Sequence, residues 1–305
     1  MKKEFTVFLT LAFSMSYVID FAFGQDPHEL ATIYGTKGSE DGEFNVPHSI
    51  AFDSKDNMYI TDEENNRVQK FTSNGTFLTK WGTNGSGNGQ FDRPEGIDVD
   101  SLGYVYVADT GNSRIQKFTS DGNFVTKWGT EGTGNGEFSS HAHGIAIDES
   151  NNVYVTDRFN NRIQKFTSNG NYITQWGSNG TGNGQFDEPH SSAIDSQNNL
   201  YVSDMNNHRV QKFTSNGNYI TQWGSNGAGN GEFRLFGIDA DSSDNIYVID
   251  QDNNNIQIFT SNGTVLKKLA SKEFSKLEDI ELDSKNNVYV TDREKSVILK
   301  LTEPL

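Results

Sequence analysis

Three histidines and two glutamates share one register of this 305-residue sequence. Six short lead-ins to apolar, strand-like runs align as VPHSIAFD, RPEGIDVD, HAHGIAID, EPHSSAID, RLFGIDAD and KLEDIELD. Their common position is His48, Glu95, His143, His190, Phe236 and Glu278. Imidazole nitrogen and carboxylate oxygen suit zinc and neighbouring divalent ions. The candidate metal ligands are therefore His48, His143 and His190, with Glu95 or Glu278 as a further ligand or as general base toward a water polarised by the ion. His141 precedes His143 by two residues, where other lead-ins have Val46, Arg93 and Glu188, and is expected on a loop. Ser49 and Ser191 adjoin histidines without a nucleophile elbow, so no serine, histidine and aspartate set is assigned. The chain has no cysteine, which excludes thiolate metal sites, disulfides and a cysteine nucleophile.

Residues so far apart can cooperate only if a repeat gathers them, and a repeat is present. NMYITDEENNRVQKFTSNGTFLTKWG, YVYVADTGNSRIQKFTSDGNFVTKWG, NVYVTDRFNNRIQKFTSNGNYITQWG and NLYVSDMNNHRVQKFTSNGNYITQWG are near copies, followed by two weaker ones. Tyr59, Tyr106, Tyr154, Tyr201, Tyr247 and Tyr289 mark six units spaced by 47, 48, 47, 46 and 42 residues. Each unit reads as four short strands of the types GIAID, VYVTD, RIQKFT and YITQWG, with a hairpin-closing Asn-Gly before the last. Four antiparallel strands in a repeat of this length make a propeller blade. A lone blade cannot cover both apolar faces, so six must stack about an axis. The expected fold is all-β, a six-bladed β-propeller of four-stranded antiparallel blades. The sixth unit ends after its third strand, and LATIYG at residues 30–35 supplies a fourth. The N-terminal strand is thus expected to close the last blade and remove edges that template aggregation.

Other repeated features read as structural. Asp62 with Arg67, Asp109 with Arg114, Asp157 with Arg162 and Asp204 with Arg209 place a carboxylate and a guanidinium across one turn. Turns such as DSKDN, at 53–57, are explained by side-chain bonding to the backbone rather than by calcium. The NGSGNGQF loops lack the helix and Lys-Ser/Thr of a phosphate cradle. They are expected to carry the chain from the rim of one blade to the axis of the next, with Phe91, Phe138, Phe186 and Phe233 anchored between blades.

Composition limits the partners. A formal charge of -16 opposes binding to nucleic-acid phosphates, which requires Lys and Arg to displace counterions. The N-terminus has Lys2 and Lys3, an apolar run from Phe5 to Ile19, and small residues at Ala22 and Gly24, a secretory signal pattern with cleavage after Gly24. Residues 1–24 are expected to be a signal peptide and 25–305 a single propeller domain. The mature protein is expected to be secreted, extracellular or at the cell surface, with no membrane span after cleavage.

The YVTDRFNNRIQKF core, with WGSNGTGNGQF and a proline-containing lead-in to GIAID, resembles the NHL repeat over roughly residues 30–303. NHL propellers serve in ligand binding, scaffolding and catalysis, so the resemblance implies fold rather than function. More distantly, VPHSIAF and EPHSSAI are similar to lead-ins of the peptidyl-alpha-hydroxyglycine alpha-amidating lyase propellers, whose histidines from alternate blades hold zinc. Blades 1, 3 and 5 here offer His48, His143 and Phe236. The first strand of a propeller blade is innermost, so the six aligned residues are expected at the channel mouth, the default ligand site. The leading expectation is a monomeric, non-enzymatic module that binds a protein, peptide or glycan there. The alternative is a metal-dependent lyase or hydrolase of zinc type, with no other cofactor.

Overall fold

A computed structural model describes residues 30–301, so the signal-peptide pattern lies outside the described residues. Within that range the strands form six antiparallel sheets of four, one per repeat. The second and third strands of each blade are buried on both faces because each face meets a neighbouring blade; Val105–Asp109 and Arg114–Phe118 are buried throughout. The fourth strand is outermost and alternates half-buried with exposed residues, as in Phe124–Trp128.

Burial between blades supplies the core. Ile97 of blade 2 packs on Ala51, Tyr59 and Val68 of blade 1, with Phe91 and Phe118 completing the cluster. Phe91, Phe138, Phe186 and Phe233 are fully buried, as their place in the repeat implied. The ring closes as expected: Leu30–Tyr34 pairs antiparallel with Val297–Leu301, Tyr34 opposite Ile298.

The turn pairs form a bracket larger than the sequence suggested. Arg114 Nε donates to Asp109 at 2.6 Å, and its other nitrogens donate to the carbonyls of Ser86, Gly87 and Gln90 in the Gly-rich loop. Arg67, Arg162 and Arg209 repeat the pattern on Asp62, Asp157 and Asp204. A guanidinium carries five donors in a fixed fork, which suits a loop of inward carbonyls. The glycine loops therefore receive Arg rather than phosphate. In the DSKDN turn, Asp53 accepts from the Lys55 and Asn57 amides and from the Tyr59 hydroxyl, which occupies the oxygens a calcium ion would need.

One irregularity positions the site. All six innermost strands break register at the same place, between Pro47 and Ile50 in blade 1 and at the matching residues elsewhere. The two residues inside each break are the aligned residue and its successor. Innermost strands also approach closely: a Cβ on Gly96 would stand 2.0 Å from the His143 carbonyl oxygen, so only glycine fits.

Candidate functional site

The breaks act as β-bulges, which re-aim side chains. Alternation along a strand would place residues three apart on opposite faces. Here His48, His143, His190 and Glu278 line the axial cavity together with Asp98, Asp239 and Glu281, whose register lies three residues further along. The cavity holds about 210 Å³. At its mouth, His48, Glu95, His143, His190 and Glu278 are each at most 4% exposed, while Phe236 is half-buried.

The six aligned residues thus meet as their register implied. The His143 and His190 rings lie 3.9 Å apart, His48 and His143 4.9 Å, and Phe236 stands edge-on to His190 at 4.7 Å. Glu278 is the hub. Its Oε1 lies 3.4 Å from His48 Nε2 and 3.3 Å from His190 Nε2, while Glu95 Oε2 lies 3.4 Å from His143 Nε2. His141 is apart from them, its ring tilted against Phe159 with centroids 4.5 Å apart.

Electrostatics sort these groups into donors and acceptors. Burial pushes His48 down to about 3, against the pull of Glu278, and lowers His143 and His190 as well. All three are neutral imidazoles at pH 7. Burial alone would raise Glu278, but a hydrogen bond from His190 and the charges beside it hold it below the usual carboxylate range. Glu95 goes the other way: burial, then repulsion by Glu63 and Glu278, push it up to about 8. One mouth carboxylate is therefore ionised and the other neutral at pH 7.

The donor set fits a divalent ion of the zinc type. A metal-binding imidazole must be unprotonated and a ligating carboxylate ionised; His48, His143 and Glu278 meet both conditions. One ligand atom from each lies within 4.8 Å of the others, the one such group among the described residues. Ligands about 2.1 Å from a tetrahedral ion stand about 3.4 Å apart, a contraction within side-chain reach. This group differs from the expected three-histidine set: Glu278 joins it, and His190 instead hydrogen-bonds Glu278. The Nδ1 atoms of His48 and His190 and Oε2 of Glu95 are buried without a hydrogen-bond partner, which suits an ion-binding or catalytic cluster better than a structural one.

Register alone did not bring forward the groups that support Glu278. Arg293 bridges Glu63 Oε2 at 2.7 Å and Glu278 Oε2 at 3.3 Å, and Gln251 Nε2 donates to Glu278 at 3.2 Å. They come from the residue after the second-strand Asp, where the blades carry Glu63, Thr110, Arg158, Met205, Gln251 and Arg293. That column varies as widely as the histidine column, and reading it would have exposed them. The inner carboxylates have a similar signal: Ala51, Asp98, Ala146, Ala193, Asp239 and Glu281 share one register.

Residues 44–71, 91–118, 140–166 and 186–213 each match the family model of the NHL repeat. The molecule is a six-bladed β-propeller that contains NHL repeats. Solved structures similar to this propeller include a catalytically inactive histidine-to-alanine virginiamycin B lyase from Staphylococcus aureus with quinupristin. That likeness has 17% identity and a TM-score of 0.65, covering 88% of this chain and 84% of that one. A gluconolactonase from Xanthomonas campestris is similar at 13% identity and a TM-score of 0.63, covering 87% and 88%. A streptogramin B lyase is similar at 14% and 0.63, covering 88% and 96%. At such identities the likeness is one of fold. Among the described residues no helix is long and apolar enough to cross a membrane.

Proposed function

We propose that this propeller is an exported, metal-dependent lyase or hydrolase whose centre lies at the mouth of the axial channel. His48, His143 and Glu278 hold a divalent ion, zinc above all. Bound there, such an ion supplies Lewis-acid polarisation of a carbonyl or ionisation of a water. Glu95, neutral at pH 7 and beside His143, is placed to give a proton to a leaving oxygen and to take one back as its carboxylate. His190, Arg293 and Gln251 fix the Glu278 carboxylate so that Oε1 faces the histidines. The observation that carries this reading is the convergence of neutral imidazoles on one ionised, buried carboxylate. A purely structural cluster has no need to keep three imidazoles uncharged beside an acid.

The similar solved structures lend it support of a limited kind. Two are lyases and one a gluconolactonase, and one lyase is inactive with a histidine changed to alanine. A protein, peptide or glycan remains a suitable ligand for the mouth, here as substrate rather than as scaffold partner.

Metal analysis of the purified mature chain, grown with metals supplied, tests the reading. About one equivalent of a transition ion is expected in the wild type, and less than a tenth in a His48→Ala/His143→Ala variant. Less than a tenth of an equivalent in the wild type sinks the proposal.

A further inference from the structure

The sequence contains eight arginines. Arg67, Arg114, Arg162 and Arg209 serve the repeated brackets described above. The remaining four all stand at one end of the propeller, the end that carries the histidine cluster. Arg93 and Arg234 immediately precede the innermost strands Pro94–Val99 and Leu235–Ala240. Arg158 and Arg293 follow Asp157 and Asp292, which pair with the first residues of innermost strands. The repeat does not demand arginine at any of these positions, since the equivalent residue in other blades is Thr110, Met205 or Gln251 in one column and Val46 or Glu188 in the other.

Arg158 and Arg293 belong to blades 3 and 6, which face each other across a ring of six. Arg293 reaches Glu278 at 3.3 Å, and Glu278 lies 3.3 Å from His190. Arg158 stands on the other side of the ring, where its backbone amide donates to the His141 carbonyl at 3.1 Å, two residues before His143. Its ion pair with Glu188, at 2.7 Å, is partly exposed. Ion pairs in contact with solvent add little to stability, so a ligand can recruit this guanidinium at little cost.

We propose that the ligand engaged at the mouth carries an oxyanion, a carboxylate or a phosphate, received between Arg158 and Arg293 above the imidazole cluster. A planar guanidinium fork matches both groups. In a chain of net charge -16, an anion needs such local donors to bind at all. The inference deepens the proposed function by naming the substrate class, and rests on that reading for chemistry but not for binding.

Calorimetry with inorganic phosphate, benzoate and neutral benzamide, on zinc-loaded and metal-free protein, tests it. At least one anion should bind tenfold or more tightly than benzamide. Arg158→Gln should weaken that anion about tenfold while leaving zinc stoichiometry and the melting curve unchanged; Arg158→Lys should recover part of the loss, and Arg93→Gln should change it less than twofold. Preference for phosphate marks a phosphoryl substrate, and preference for benzoate a carboxylate. Equal affinity for benzoate and benzamide, no binding of either anion, or indifference to Arg158→Gln overturns the proposal. Absence of zinc with the anion dependence intact would count against the metal reading alone.

Discussion

The mouth and the interior of the channel are lined by the same six strands, three residues apart, and they handle charge in opposite ways. At the mouth, Glu278 is ionised because imidazoles, Gln251 and Arg293 surround it. Inside, Asp98 and Asp239 are pushed up to about 7 and 8, and Glu281 well above its usual value. Burial is the first cause in each, and the inner acids repel one another with no basic side chain among the causes. Each keeps some accessible surface, but that surface faces the cavity rather than bulk water. Among the described residues no three inner oxygens come as close together as the mouth ligands do. One tier is organised to hold a charge, and the other to hold protons.

The same chemical change should therefore have opposite signs in the two tiers. Glu278→Gln removes the ionised hub and leaves buried donors without their acceptor; breaking such a pair costs about 3–5 kcal/mol. Urea unfolding at pH 7.5 should show a loss of that order, and a loss below about 1 kcal/mol would mean that Glu278 is not the hub. Asp239→Asn should stabilise. The folded pKa of Asp239, about 8, lies above its unfolded value, so its favourable contribution is complete below about pH 4 and is lost as pH rises through 8. The amide does not titrate, so the variant should exceed wild type by several kcal/mol at pH 9 and match it near pH 4. Thermal melts at the two pH values decide this; equal gains at both would mean that packing rather than charge is responsible.

The histidines make the complementary claim on the acid side. His48 titrates near 3 in the fold and near 6.5 when unfolded, so its contribution is present above pH 6.5 and is lost as pH falls toward 3. Wild-type stability should decline on acidification through that window. His48→Gln, which has no imidazole to charge, should flatten the decline by about 3 kcal/mol between pH 7 and pH 4, read from denaturant midpoints. An unchanged slope would show that His48 is not buried in its neutral form.

How far these tiers were legible in the sequence depends on what the repeat holds constant. Strand order, ring closure and the Asp and Arg brackets recur in near-identical copies, so pattern alone predicts them, and the register of His48, Glu95, His143, His190, Phe236 and Glu278 places them together. The bulge was not legible. Strict alternation puts Asp98 on the opposite face from Glu95, and only the common break in register turns both toward the axis. The replacement of His190 by Glu278 in the compact group was likewise hidden, because it depends on Arg293 and Gln251 orienting one carboxylate across two blades.

Glu95 breaks the contrast and provides its finest test. It sits in the mouth register but behaves like the inner acids, pushed up to about 8 by burial and by Glu63 and Glu278. Its folded value lies above the ordinary carboxylate value, so Glu95→Gln should match wild type near pH 4, gain stability as pH rises from there, and level off above pH 8. If Glu95 serves only to fill space, nothing else should change. If it moves a proton, the pH profile of turnover, once a substrate is in hand, should lose its limb near pH 8 in the variant while zinc content stays at the wild-type level. A retained limb assigns the proton to another group and leaves Glu95 as a neutral neighbour of His143.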